Sequence, residues 1–149
     1  MNILFTVGNG MMGDDGAGAL LAQMMRENPL EDWTVLHGGS APENVVHRIR
    51  EMHVHRVLVV DAADMDLPPG SIRLIAADRL ADPSLMTTHT LPLTFLIESL
   101  REFVPQVELL GIQPGMVAFG FPISDNVRKA VAQVYADLKS GFADWRVCN

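Results

Sequence analysis

Two adjacent carboxylates, Asp14 and Asp15, lie in a glycine-rich segment, GNGMMGDDGAG, directly after the apolar run 3–7. Glycines allow a loop to fold tightly and to adopt positive φ angles. Because the loop is acidic and holds no basic residue, it suits a bound cation better than a phosphate. The segment therefore predicts a cation-binding turn at the end of a first strand.

The same segment also matches the dinucleotide-binding pattern, with glycines at positions 8, 10 and 13 after a strand. In that fold the pyrophosphate lies on the N-terminus of the following helix. Here its charge would lie beside two aspartates, and the first basic residue after the turn is Arg26. The acid that would hold the ribose is also missing, since the second predicted strand runs into His37 and two glycines. These two failures disfavour a nucleotide site.

Further polar candidates follow other predicted strands. Asp61 comes directly after the apolar run 57–60, Asp64 follows three residues later, and His89 precedes a predicted helix. In open α/β sheets, ligands bind beyond the carboxyl ends of the strands. We therefore expect Asp15, Asp61 and His89 to converge on one cleft.

Two carboxylates and one imidazole can hold a divalent ion such as Zn²⁺ or Ni²⁺ and leave coordination positions open. Water on such an ion loses its proton near neutral pH and can attack a carbonyl. An open position is also what a site that senses a ligand requires. The spacing alone does not identify the substrate.

Each candidate also has a purely structural explanation. Asp14 or Asp15 could favour a helix start through the helix dipole, and we expect one of the pair to do so. Asp61 could cap a turn, but a carboxylate against four apolar residues is partly desolvated, which favours a functional role. His89, like His37, would by itself more often be a surface or loop residue. The remaining histidines are predicted to lie on the surface: His47, His53 and His55.

Composition bounds the class of protein. The 149 residues, 48% hydrophobic and 19% charged, predict one domain over residues 1–149. No apolar run approaches the roughly 20 residues that cross a bilayer, and the start lacks a basic segment followed by an apolar one. A net charge of -7 argues against nucleic acid or an anionic membrane as partner. With a single cysteine, Cys148, the sequence predicts a soluble cytoplasmic protein.

Apolar runs alternate with segments of helical period, which predicts an α/β fold with a mostly parallel sheet and helices on both faces. The predicted strands are 3–7, 33–36, 57–60, 71–75 and, last, 107–112. A first helix should follow Asp14 and end at Asn28, with Leu20, Leu21 and Met24 on its buried face. Three further helices are predicted. One begins at a capping box formed by Ser40 and Glu43 and runs to about Met52. The next begins near Pro92, and the last runs from Ser124 to Gly141.

Five segments carry a resemblance to a known family: GNGMMGDDGAG, HGGSAPEN (37–44), VVDAADM (59–65), MTTHTLPL (86–93) and LGIQP (110–114). In this order, over nearly the whole chain, they resemble the hydrogenase maturation endopeptidases. Such proteases remove a short C-terminal extension from the nickel–iron hydrogenase large-subunit precursor after nickel insertion. The resemblance implies a twisted sheet of about five strands, a precursor protein as partner, and Asp15, Asp61 and His89 as metal ligands.

One position departs from the family. Its members commonly carry an aspartate directly before the Gly-Gly pair, where this chain has His37, so no role of that aspartate can be transferred. His37 could be an added ligand or a proton carrier, but packing or a loop hydrogen bond is favoured.

Met11 and Met12 are most simply packing residues, although they also lie where a protein partner could bind to a flexible apolar surface at the rim of the cleft.

Three functional hypotheses stay open. In the first, the three ligands hold a metal, such as zinc, that activates water for peptide cleavage. In the second, they coordinate the nickel already present in the precursor, so that the site licenses cleavage only after metal insertion. The incomplete, hard ligand set favours the second. The third is a non-enzymatic metal-sensing assembly factor that binds an immature metalloenzyme and releases it once loaded.

Overall fold

The computed structural model describes residues 1–39, 41–76, 86–87, 93–141 and 144–148. Within these ranges seven strands form one sheet: β1 (Asn2–Val7), β2 (Trp33–Gly39), β3 (Arg56–Asp64), β4 (Ile72–Ile75), β5 (Met86–Thr87), β6 (Gln106–Ile112) and β7 (Val147–Cys148). The described helices are a 3-10 helix (Gly13–Gly16), α1 (Ala17–Glu27), α2 (Glu43–Arg50), α3 (Leu93–Arg101) and α4 (Asp125–Ser140).

The strand order is β2-β1-β3-β6-β4-β7, and β5 pairs with β3 outside this path. β1 pairs in parallel with β2 and with β3, β3 pairs in parallel with β6, and β4 runs antiparallel to β6. The five longer strands therefore confirm the predicted mostly parallel α/β sheet. The prediction of 107–112 as the last strand is wrong, because β7 follows and pairs with β4. Two residues are too few to show an alternating pattern in sequence.

Helices cover both faces of the sheet, as predicted. Alternate residues of a strand point to opposite faces, so Phe5 packs on one side and Leu4 on the other. Phe5 shares a buried cluster with residues of α2 and α3, whereas Leu4 shares one with residues of α1 and α4. β1 and β3 are buried nearly throughout because each lies between two neighbouring strands and two helical layers.

β3 is longer than the sequence predicts, and this changes the setting of Asp61. The predicted strand ends at Val60, but pairing with β6 continues through Asp61 opposite Gly111 and Ala62 opposite Ile112. β5 then pairs with Ala63 and Asp64. Asp61 therefore lies within a hydrogen-bonded strand, which fixes its backbone more firmly than a loop would.

The helix boundaries follow the predictions with small differences, except at the start of α2. The predicted capping box places the N-cap at Ser40, but the N-cap is Pro42 and α2 begins at Glu43, so this prediction is wrong; the helix ends at Arg50, two residues before Met52. Ser40 and Pro92 themselves lie outside the described residues. α4 begins after Ser124 and ends at Gly141, whose φ of 74° is left-handed. No helix in the described ranges is long and apolar enough to cross a membrane.

The buried face of α1 is rotated from the prediction. Leu21 is buried as expected, but Leu20 and Met24 are only partly buried, and Met25 takes a core position. The cause is Gly18, where a Cβ would lie 2.3 Å from the carbonyl oxygen of Val7. This close approach of the helix to the end of β1 turns its small residues inward.

Candidate active site

The glycine-rich loop after β1 closes on the residue that carries the first candidate ligand. Gly8 has a φ of 131°, and a Cβ on it would lie 2.2 Å from the backbone oxygen of Asp15. Gly13 has a φ of 59°, and a Cβ on it would lie 2.5 Å from the backbone oxygen of Met116. Both positions require glycine, so the predicted tight fold of this loop is confirmed.

Asp15 lies in the 3-10 helix and is almost completely buried, with 4% of its surface exposed. Its Oδ2 accepts a hydrogen bond of 2.9 Å from the backbone N–H of Asn9. Asn9 in turn accepts from the backbone N–H of Met11 through its side chain, at 2.9 Å. The Asp15 carboxylate is therefore fixed by the loop that precedes it.

Asp14 has a different role from its neighbour. It is fully buried, and its carboxylate accepts three hydrogen bonds, from the backbone N–H of Gly115 and from the backbone N–H and hydroxyl of Ser124. These bonds join the first loop to the segment between β6 and α4. Of the two adjacent acids, Asp14 is thus the structural one, and Asp15 remains the candidate ligand.

Asp61 is fully buried at the same edge of the sheet as Asp15. β1 and β3 pair through Thr6 and Val60, so the next residues along these parallel strands, Val7 and Asp61, lie side by side. The 3-10 helix that carries Asp15 also contacts β3. The structure therefore brings two of the three predicted ligands to one edge.

The third predicted ligand, His89, lies outside the described residues, so its contribution stays a prediction. Among the residues that the structure does describe, no cluster of three or more histidine, cysteine, aspartate or glutamate side chains could hold a metal ion. A complete metal site at this edge therefore depends on His89 or on ligands brought by a partner.

His37 makes a hydrogen bond within the sheet, as the sequence favoured. Its Nδ1 lies 2.8 Å from the hydroxyl oxygen of Thr6, the residue that it pairs with in the β1 and β2 register. Burial, with the positive charge of Arg26, lowers the pKa of His37 below 6.5, although hydrogen bonding to Thr6 opposes this shift. Thr6 points to the opposite face of the sheet from its neighbours Phe5 and Val7, which is the face covered by α1. His37 lies beside Thr6 and faces the same way, whereas Asp61 shares the other face with Val59. This placement does not favour an added metal ligand.

Gln113 is a site residue to which the sequence analysis assigned no role. It is buried directly after β6, and its Oε1 accepts from the backbone N–H of Met65 at 2.6 Å and of Leu67 at 3.4 Å. Its Nε2 donates to Asp64 Oδ1 at 3.1 Å. Gln113 therefore holds the turn that follows the strand of Asp61. Its signal in sequence was a polar residue at the end of an apolar strand, the same signal that marked Asp61.

Comparisons with known proteins agree with this fold and with the sequence motifs. Residues 18–140 match the hydrogenase maturation protease family. The hydrogenase 3 maturation protease of Escherichia coli strain K12 is 47% identical over 151 residues, which cover 98% of this chain and 97% of that protein.

Solved structures give the same result. The endopeptidase HycI from Escherichia coli has a TM-score of 0.92 at 44% identity, covering 100% of this chain and 97% of that chain. The hydrogenase maturation protease HycI from Thermococcus kodakarensis has a TM-score of 0.81 at 25% identity, covering 93% of this chain and 90% of that one. This chain is therefore a peptidase and belongs to the hydrogenase maturation protease family.

Proposed function

We propose that this chain removes the C-terminal extension of a nickel–iron hydrogenase large-subunit precursor after nickel has been inserted. The relative from Escherichia coli is named for hydrogenase 3, so the proposal takes the corresponding large subunit as the substrate. The observation that carries the proposal is the pair of buried carboxylates, Asp15 and Asp61, which two separate elements bring to one sheet edge. The single cysteine is typical of a reducing compartment, so the proposed reaction takes place in the cytoplasm.

The chemistry of the donors fits a divalent cation. Two buried carboxylates give this edge a negative charge, and burial in a low-dielectric setting strengthens their attraction for a cation. Oxygen donors together with the imidazole of His89 match Ni²⁺ or Zn²⁺. In this proposal Asp15, Asp61 and His89 coordinate the nickel that the precursor carries, and the metal positions the bond to be cleaved beside them.

The division of labour between Asp14 and Asp15 supports this arrangement. Asp14 is satisfied by three donors from Gly115 and Ser124, which fixes the loop without using its neighbour. Catalytic geometry must be held to within about half an ångström. Hydrogen bonds hold the 3-10 helix of Asp15 in place, and pairing with β6 holds the strand of Asp61, which supports such a role for the two acids.

The decisive experiment incubates nickel-loaded precursor with the protein and follows the precursor by mass spectrometry. The wild-type protein should release a C-terminal peptide, and Asp61→Asn should not, because an amide keeps the shape of the carboxylate and loses its charge. Asp64→Asn is the matched control: Asp64 is in the same strand but exposed, and an asparagine oxygen can still accept from Gln113. Full processing by Asp61→Asn would contradict the proposed site.

The same experiment distinguishes a peptidase from a non-enzymatic assembly factor. A complex of wild-type protein and precursor that forms and dissociates without any shortening of the precursor would favour that hypothesis. Shortening of precursor that holds no nickel would contradict nickel recognition while leaving the peptidase activity in place.

A further inference from the structure

Four large apolar side chains are exposed beside the candidate active site. We call this surface the apolar rim: Met11, Met116, Phe119 and Phe121. Phe119 exposes 73% of its surface and Phe121 exposes 51%. Single exposed apolar residues are ordinary, but a contiguous group of them marks an interaction site.

Backbone hydrogen bonds make the rim one surface. The N–H of Gly120 donates to the carbonyl of Met11 at 2.9 Å, and the N–H of Asp14 donates to the carbonyl of Met116 at 2.9 Å. The loop after β1 and the loop after β6 are therefore joined at two points. The rim side chains project from a framework that is already ordered, so binding does not have to fix its backbone.

The rim is also uncharged, in contrast to the rest of the chain. Residues 8–13 and 113–123 contain no charged side chain, although 19% of all residues are charged and the net charge is -7. Depletion of charge together with exposed phenylalanine and methionine is the composition of the core of a protein interface. The composition indicates a partner surface that is itself apolar.

The rim continues directly into the candidate active site. The loop that carries Met11 leads directly into the 3-10 helix of Asp15, whose carboxylate accepts a hydrogen bond from the N–H of Asn9 in that loop. The other loop is tied to Asp14 through Gly115. A polypeptide that lies across the rim therefore passes next to the segment that carries Asp15.

We propose that the apolar rim binds an apolar segment of the precursor polypeptide next to the bond that is cleaved. The inference rests on the proposed function and extends it by assigning a surface for the substrate. The substrate of a peptidase is itself a polypeptide, and the rim borders the carboxylates assigned to its cleavage. These two facts argue for the precursor as occupant over a second copy of this chain.

The test compares Phe119→Ser/Phe121→Ser with Phe95→Ser, a matched control on α3 that exposes 61% of its surface. Because all three side chains are exposed, the variants should fold with the same melting temperature as wild type. Steady-state processing of nickel-loaded precursor should show a KM about tenfold higher for the double variant, with kcat unchanged, as for loss of uniform binding. Phe95→Ser should process as wild type does.

A second measurement removes cleavage from the comparison. The affinity of the precursor for Asp61→Asn should fall about tenfold when the two rim substitutions are added. If wild type cleaves the precursor and the rim variant has an unchanged KM and affinity, the rim inference is overturned and the proposed function stands. If wild type does not cleave, the proposed function itself fails. A wild-type dimer that the rim substitutions dissociate, with processing unchanged, would assign the rim to a second copy and also overturn the inference.

Discussion

Asp14 and Ser124 are joined by two hydrogen bonds, of 2.7 Å from the backbone N–H and 2.9 Å from the hydroxyl, although 110 residues separate them in the chain. Ser124 is also the N-cap residue of α4. The contact therefore ties the loop that carries Asp15 to the start of the last helix. Through it, the geometry of the candidate site depends on the packing of α4.

Asp14→Ala should lower the free energy of unfolding by about 3 kcal/mol, because three donors at a buried site lose their acceptor. Ser124→Ala removes the hydroxyl bond alone and should cost about 1 kcal/mol. Urea unfolding followed by circular dichroism measures both values. Equal losses in the two variants would show that the backbone donors contribute nothing to this contact.

Asp15→Asn, unlike Asp14→Ala, should affect processing rather than stability. Since Asn9 can still donate to the amide oxygen, the free energy of unfolding should change by less than about 1 kcal/mol. Processing of nickel-loaded precursor should be lost, because the charge of a metal ligand is removed. If Asp15→Asn processes the precursor as wild type does, Asp15 is a helix-start residue and not a metal ligand.

The sequence predicted the sheet well because its central strands are strongly patterned. The run 57–60 that became β3 is apolar at every position, and the run 3–7 that became β1 is apolar except at Thr6, as is expected of strands buried on both faces. It did not predict β7, whose two residues form a strand only because β4 lies beside them. The pattern that ended β3 at Val60 also failed, since pairing with β6, rather than side-chain polarity, carries the strand past Asp61.

Within the site, the sequence located the acids but did not divide their roles. Asp14 and Asp15 are adjacent and chemically identical, and the donors that distinguish them come from Gly115 and Ser124, about a hundred residues away. The environment of His37 likewise depends on its pairing with Thr6. Such contacts are set by tertiary packing, which local spacing does not encode.

Gln113→Met should lower the free energy of unfolding by about 2 kcal/mol, because the amides of Met65 and Leu67 lose their shared acceptor while the side-chain volume is kept. Gln106→Met, at the exposed start of the same strand, should stay within about 0.5 kcal/mol of wild type. Denaturant unfolding compares the two. If Gln113→Met lowers the free energy of unfolding no more than Gln106→Met does, Gln113 does not hold the turn after β3.

The stability of the protein should fall as the pH drops below about 6.5, in part because of His37. Its folded-state pKa is lowered by burial and by Arg26, so the unfolded chain takes up its proton first as the pH falls. This contribution to stability is therefore complete above pH 6.5 and is lost as the pH approaches the folded pKa. His37→Gln should show a shallower loss in chemical unfolding across this range, whereas substitution of the exposed His53 by glutamine should follow wild type. Parallel pH profiles for wild type and His37→Gln would contradict this assignment.

Metal content separates the two versions of the proposed mechanism. If Asp15, Asp61 and His89 share the nickel of the precursor, protein purified without chelators and then dialysed should hold far less than one metal ion per chain by inductively coupled plasma mass spectrometry. Three protein ligands leave coordination positions on the metal open. In this version the precursor fills those positions, so the protein retains nickel only in its complex with the precursor. A stable complex of Asp61→Ala with nickel-loaded precursor should be harder to isolate than one with Asp64→Ala, because a ligand is lost only in the first. Stoichiometric zinc that persists through dialysis of the wild-type protein, and whose removal stops processing, would instead establish a resident metal that activates water.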